Sequence, residues 1–390
     1  MLLTNVSVLR LFLGQALYWS CNLIGITLTS LVGLQLAPLN ILATLPLALL
    51  VLGNLLAVQP LSLFMQRRGR RLGLVLGAGC GIVGGLLAAL GVWLGDFSLF
   101  CLGALPLGAY QASAMYYRFA ALEAVDSAQH GRASAYVIGG GVLAALVAPS
   151  LLLWSQNALS APFVGAYLMM AALAAGGMLL MTQLREGSAP VPSKGGWAVV
   201  RELLGRPQIR AAIATTAVGH GLMIMIMTAT PLAMQFCGLS VAEGSQVIQW
   251  HMLGMFLPAF VAGHLVDKLG SARVAVLGSL VLLVSAGIAL SGLSKGHFLL
   301  SSFLLGLGWN LMLIAGTTLL ASGHSPGERG NAQGLMELSN GSVAAGASFA
   351  SGALISTVGW GAVNIGILPL VALVLLMLLP LRSKTLARYS

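Results

Sequence analysis

The sequence predicts an all-α membrane protein of twelve transmembrane helices arranged as two six-helix halves. Three observations carry that prediction. The 390 residues are 58% hydrophobic and only 7% charged, with mean hydropathy +0.95, against a charged share of roughly 25% in soluble domains. Apolar runs of about 20 residues, the length a helix needs to cross a bilayer, alternate with short polar breaks, and the period-two pattern of a membrane barrel is absent. Two loop signatures also recur half a chain apart, the mark of a duplicated architecture.

Breaks at charged or Pro/Gly-rich stretches place the spans near 8–34, 40–64, 72–94, 97–121, 132–155, 161–183, 207–236, 243–266, 272–293, 297–321, 331–355 and 360–381. The first run is far longer than a signal-peptide core, so it reads as a retained helix. It carries Gln15, Trp19, Asn22 and Thr27, polar groups that should face the bundle interior because lipid offers them no partner. With the N-terminus in the cytoplasm, every Lys and Arg except Lys295 falls in a cytoplasmic segment or within reach of one. The positive-inside rule then puts both termini in the cytoplasm, and the small loops without large extramembrane domains suggest the inner membrane of a bacterial cell. The net charge of +10 is a topology signal and an attraction to anionic lipid; dispersed over several loops, it describes no nucleic-acid surface. Residues 185–206 are rich in Gly, Ser, Pro and basic side chains and read as the cytoplasmic linker between the halves 1–184 and 207–390, with 197–204 a short interfacial helix. The cysteines Cys21, Cys80, Cys101 and Cys237 show no disulfide or zinc spacing. No P-loop, nucleophile elbow, carboxylate dyad or metalloprotease helix is present, which argues against an enzyme, and against ATP-driven transport by this chain alone.

The recurring signatures are explicit. The loop after the second span reads Gln66-Arg67-Arg68-Gly69-Arg70-Arg71, and its counterpart after the eighth carries Gly263, His264, Leu265, Asp267, Lys268, Gly270 and Arg273. Gly131-Arg132-Ala133 after the fourth span and Arg329-Gly330-Asn331-Ala332 after the tenth stand at nearly the same offset. The 263–273 loop resembles the G-x-L-x-D-[KR]-x-G-x-[KR] motif of the major facilitator superfamily, its last basic residue one position late. The first-half copy departs from it, with Ser62 for the glycine and Gln66 for the aspartate. The resemblance covers essentially the whole chain and implies the major facilitator fold. Arg118, near the inner end of the fourth span, is expected to snorkel or to lock a cytoplasmic gate. Tyr110-Gln111 and Trp309-Asn310 fall at one repeat offset near mid-depth and would suit either a pseudo-symmetric cavity wall or paired interhelical packing.

One stretch suggests chemistry. Met223 and Met227 on the seventh span, and His251 and Met255 on the eighth, are each spaced i, i+4, which stacks two side chains on one helical face. The break at 237–244 allows only a tight antiparallel return, so Met227 should match His251 in depth, and Met223 should match Met255. Thioether and imidazole donors favour Cu(I) over hard cations. A methionine pair alone is more often packing, but an intramembrane histidine is costly unless it serves something. Met-x-x-x-Met followed by His-x-x-x-Met resembles the CcoA-like copper importers of the same superfamily. That resemblance implies copper at Met223, Met227, His251 and Met255, with Cys237 as a weaker candidate; His220, about one turn before Met223, is by position a further weak candidate as ligand or proton carrier, or a packing residue. The expectation is a monomeric importer of copper, as Cu(I), for assembly of cbb-type cytochrome oxidase. It would have no cofactor, with membrane lipid and a cytoplasmic copper chaperone as partners. The alternative is a proton-coupled exporter of drugs or small metabolites, to which a methionine-rich wall offers adaptable apolar contact.

Overall fold

Backbone polar groups in a bilayer must be satisfied within the protein, and long Leu-, Ala- and Gly-rich runs do this by coiling. The computed structural model describes residues 5–39, 42–185 and 197–386, with no strand among them. The helices are α1 (Val6–Leu36), α2 (Leu45–Arg68), α3 (Arg70–Leu94), α4 (Phe97–Ala114), α5 (Tyr117–Glu123), α6 (His130–Gly139), α7 (Gly141–Ser155), α8 (Val164–Thr182) and α9 (Trp197–Gly205). They continue as α10 (Pro207–Phe236), α11 (Val241–Phe256), α12 (Ala259–Leu269), α13 (Ser271–Ser291), α14 (Lys295–Ala321), α15 (Arg329–Thr357), α16 (Gly359–Ile365) and α17 (Ile367–Leu386). The expected interfacial helix is α9; residues 186–196 of the expected linker lie outside the described residues.

Eleven helical stretches among the described residues are long and apolar enough to cross a membrane, and the chain is a multi-pass membrane protein. Four of these combine two consecutive helices each: α4 with α5, α6 with α7, α11 with α12, and α16 with α17. The α11–α12 joint has a local cause, since Pro258 lacks the N–H that a continuous helix would use. The expected span at 331–355 coincides with α15, whose 29 residues suffice for a crossing. It falls short in hydropathy because it carries Asn331, Gln333, Glu337 and Asn340, all of them buried.

The chain divides into two compact units, residues 1–125 with 140–193, and residues 126–139 with 194–390. Hydropathy alone assigns 126–139 to the first half; in the structure this segment packs in the second unit, against α12. The Asp267 carboxylate accepts hydrogen bonds from the Gly131 and Arg132 backbone N–H groups (2.8 and 3.3 Å) and from Arg132 Nε (2.7 Å). It thereby neutralises the open N–H groups at the start of α6. The Tyr136 and Phe260 rings meet edge-on at 6.2 Å.

In the first unit α4 packs on α2 and α3, and α8 on α1 and α3. In the second, α10 packs on α15 and α14, α13 on α14, and α11 on α14. Gly69 and Gly270, paired by the sequence repeat, adopt the same left-handed-side backbone (φ 96 and 87, ψ 156 and 151) between α2 and α3 and between α12 and α13. That conformation is strained for any residue with a Cβ.

Candidate functional site

In the first unit four helices line one cleft. It is formed by Tyr18, Cys21, Asn22 and Gly25 of α1, Leu50 of α2, Leu107, Tyr110 and Gln111 of α4, and Met170 of α8, around a cavity of about 20 Å³. Tyr18 and Tyr110 are each at most 2% exposed, and their rings meet edge to face at 5.6 Å and 88°, which the ring quadrupoles favour. Trp19 stands edge-on to Tyr18, also at 5.6 Å. Asn22 and Gln111 are half-buried, bringing carboxamides, each with donor and acceptor, beside aromatic faces. Gly25 leaves room there: a Cβ would stand 3.0 Å from Met170 Cε. Of the polar groups flagged on α1, Trp19 and Asn22 turn inward as expected, and Gln15 is buried. Thr27 is exposed, and its hydroxyl donates back to the Leu23 carbonyl at 2.7 Å. Arg118 is buried rather than extended toward the surface, with Nη1 donating to the Met115 carbonyl at 3.2 Å and the guanidinium 4.8 Å over the Phe119 ring.

The second unit holds the residues of the copper expectation. Met223, His251 and Met255 are buried, Met227 is half-buried, and Cys237 is exposed at the end of α10. The α10–α11 return exists, but its helices meet in a small apolar cluster near their linked ends, Ala229, Ala233 and Met234 with Val247. From there α11 lies mainly along α14, and α10 along α15 and α14. His251 turns accordingly: Nδ1 donates to the Ser302 carbonyl on α14 at 2.8 Å, and Nε2 has no hydrogen-bond partner among the described residues. His220 accepts from Trp309 Nε1 at 3.1 Å, so it is engaged with α14 as well. Asn310, for which both a cavity wall and interhelical packing were open, is fully buried and donates from Nδ2 to the Met255 carbonyl at 2.7 Å. Of the two aromatic–amide pairs, Tyr110-Gln111 therefore lines a cleft, while Trp309-Asn310 ties helices together.

A search of the sequence for sulfur and imidazole also passes over Glu337. It is a carboxylate only 4% exposed in α15, with Asn340 Nδ2 at 3.5 Å from it. The available signal was one acidic residue in an otherwise uncharged span.

Comparison with known proteins turns the functional reading away from metal. Residues 223–389 match the Major Facilitator Superfamily. The chain is 37% identical over 385 residues to the riboflavin transporter RfnT of Brucella anthropi, covering 97% of this chain and 96% of that one. It is 29% identical to the uncharacterized transporter YdeG of Bacillus subtilis, over 85% of this chain and 80% of the relative. The fold is similar to the crystal structure of the human organic anion transporter MFSD10 (TETRAN), with TM-score 0.77 at 14% identity over 96% of this chain and 99% of that one. It is equally similar to an outward-facing bacterial homologue of the iron transporter ferroportin, with TM-score 0.77 at 15% identity over the same shares. The expected copper import, and with it copper as cargo and the likeness to CcoA-like importers, is overturned by the riboflavin transporter, whose match spans nearly the whole of both chains. A spacing of i, i+4 sulfur and nitrogen on consecutive helices is also satisfied by ordinary packing, as His251 shows by bonding to α14.

Proposed function

Because this chain belongs to the major facilitator superfamily of membrane transporters, we propose that its cargo is riboflavin or a planar heteroaromatic metabolite of the same class, moved by alternating access. The observation that carries the reading is the full-length relative, a riboflavin transporter at 37% identity. The first-unit cleft supplies matching chemistry. A flavin presents a flat apolar ring system, an imide edge that both donates and accepts hydrogen bonds, and a polyol chain. Tyr18 and Tyr110 offer aromatic surface beside the adaptable thioether of Met170. The carboxamides of Asn22 and Gln111 can each pair with a donor and an acceptor at once. The cavity, about 20 Å³, is far below the roughly 300 Å³ of small-molecule sites, so the cleft has to widen to take a flavin, as alternating access provides. The distribution of Lys and Arg supports an inner-membrane location with both termini in the cytoplasm.

Counterflow of labelled riboflavin into proteoliposomes tests this. The expected result is saturable entry accelerated by unlabelled riboflavin inside, with Gln111→Leu raising KM by about tenfold, the cost of leaving an imide group unpaired. Entry no faster than in protein-free vesicles would overturn the proposal.

A further inference from the structure

The seam between α11 and α14 holds two buried acceptors in search of donors. The helices touch backbone to backbone there. A Cβ on Gly306 would stand 2.6 Å from the His251 carbonyl oxygen and 2.7 Å from the Met255 nitrogen, and one on Gly254 would overlap the Phe303 carbonyl. Each of two side chains is anchored across this seam by its N–H group: His251 through Nδ1 to Ser302, and Asn310 through Nδ2 to Met255. The anchors use up the donors. A histidine whose Nδ1 carries the proton presents a bare lone pair at Nε2, and an asparagine bonded through its amide nitrogen presents a bare Oδ1. Both Nε2 of His251 and Oδ1 of Asn310 lack a hydrogen-bond partner among the described residues, in side chains 3% and 0% exposed. Anchor and acceptor sit on opposite atoms of one rigid group, so the acceptors are held in place before any ligand arrives.

The surrounding charges keep this an acceptor site. No Asp or Glu lies on α10 or α14, and Glu243, on α11, is half-buried at the far end and engaged with Ser240. An imidazolium at His251 would find no counter-charge on these helices.

We propose that His251 is a specificity-determining subsite of the second unit that receives O–H or N–H donors of the transported solute through Nε2. It rests on the flavin reading, because a flavin brings both kinds of donor, an imide N–H and the hydroxyls of its polyol chain. A bound water offers the same chemistry, and the experiment separates the two sources.

Binding by the full-length protein in detergent is measured by flavin fluorescence quenching with three ligands. These are riboflavin, riboflavin methylated at its imide nitrogen, and lumiflavin, which lacks the polyol. Two variants divide the histidine's atoms. His251→Asn reaches only the Nδ1 position, keeping the bond to Ser302 and deleting the outer acceptor; His251→Gln places a carboxamide where Nε2 stood. Wild type is expected to bind one of the donor-deleted ligands about tenfold more weakly than riboflavin. His251→Asn should weaken riboflavin by a similar factor and no longer distinguish that ligand, while His251→Gln keeps most of both. Wild-type affinity in His251→Asn, or equal weakening of all three ligands with their ranking intact, assigns Nε2 to water and overturns the inference alone. A wild type that binds none of the three overturns the flavin reading and this subsite together.

Discussion

Glu328 and Arg206 lie 122 residues apart, and joining them ties the start of α10 to the turn that opens α15. The carboxylate accepts from Arg206 Nη2 and Nη1 at 2.7 and 2.9 Å, and from the Ser325 backbone and hydroxyl at 2.9 and 2.8 Å. The Arg206 hydrogen bonds, aided by Ser325 and opposed by burial, hold Glu328 down at about 2. An unfolded glutamate titrates near ~4.3. Because the folded value is lower, the pair's contribution is complete above about pH 4.3 and is lost as pH falls toward 2. Arg206 is a third exposed and also bonds Glu202, so the contribution is discounted to about 1 kcal/mol. Glu328→Gln should therefore melt below wild type at pH 7, the gap closing as the pH of a thermal-melt series falls from 5 to about 2.5. A gap independent of pH would assign the loss to packing. Half of this was legible beforehand: Ser325-x-x-Glu328 is a capping-box pattern, and the structure shows both of its bonds. Arg206 was not, because nothing local in a sequence marks a partner that distant. Asp267 divides the same way, picked out by its motif but with its partners, Gly131 and Arg132, supplied by the fold.

At the scale of helices the spans were legible because insertion into lipid depends on length and hydropathy, both of which are local. Which helix lies against which was not. The copper expectation took sequence neighbours α10 and α11 as spatial neighbours along their length, and α11 runs along α14 instead. Small residues decide that choice: with no hydrophobic force between helices in lipid, close backbone approach is what holds them, and Gly254 and Gly306 provide it. Gly306→Ala puts a methyl 2.6 Å from the His251 carbonyl oxygen, where backbone has to yield, and should lower stability by roughly 1–3 kcal/mol. Gly287 on α13 is exposed with nothing within 4 Å of an added Cβ, and Gly287→Ala should be neutral or slightly stabilising. Melting curves of the two variants in one detergent check the pair. A Gly306→Ala protein as stable as Gly287→Ala would mean that the α11–α14 seam is not closely packed.

For the molecule as a transporter, what matters is space that no single helix contains. Aromatic and amide side chains were visible one by one in α1 and α4, but the cleft needs Leu50 of α2 and Met170 of α8 as well, and no periodicity brings four helices to one point. Gly25 then acquires a role that its position in the sequence does not suggest. An alanine there would stand 3.0 Å from Met170 Cε and 3.9 Å from its sulfur. The obstructing atom is the end of a flexible side chain, so Met170 can swing aside at small energetic cost, and the space it swings through is taken from the cleft. Gly25→Ala should therefore melt like wild type yet raise the riboflavin KM several-fold. Shortening the obstructing side chain should undo this, so that Gly25→Ala combined with Met170→Val recovers affinity although Met170→Val alone costs stability. Recovery of that kind is a coupling between two contacting residues, which independent defects do not produce. Additive effects on KM, or a KM unmoved by Gly25→Ala, would place the cargo's path elsewhere in the protein.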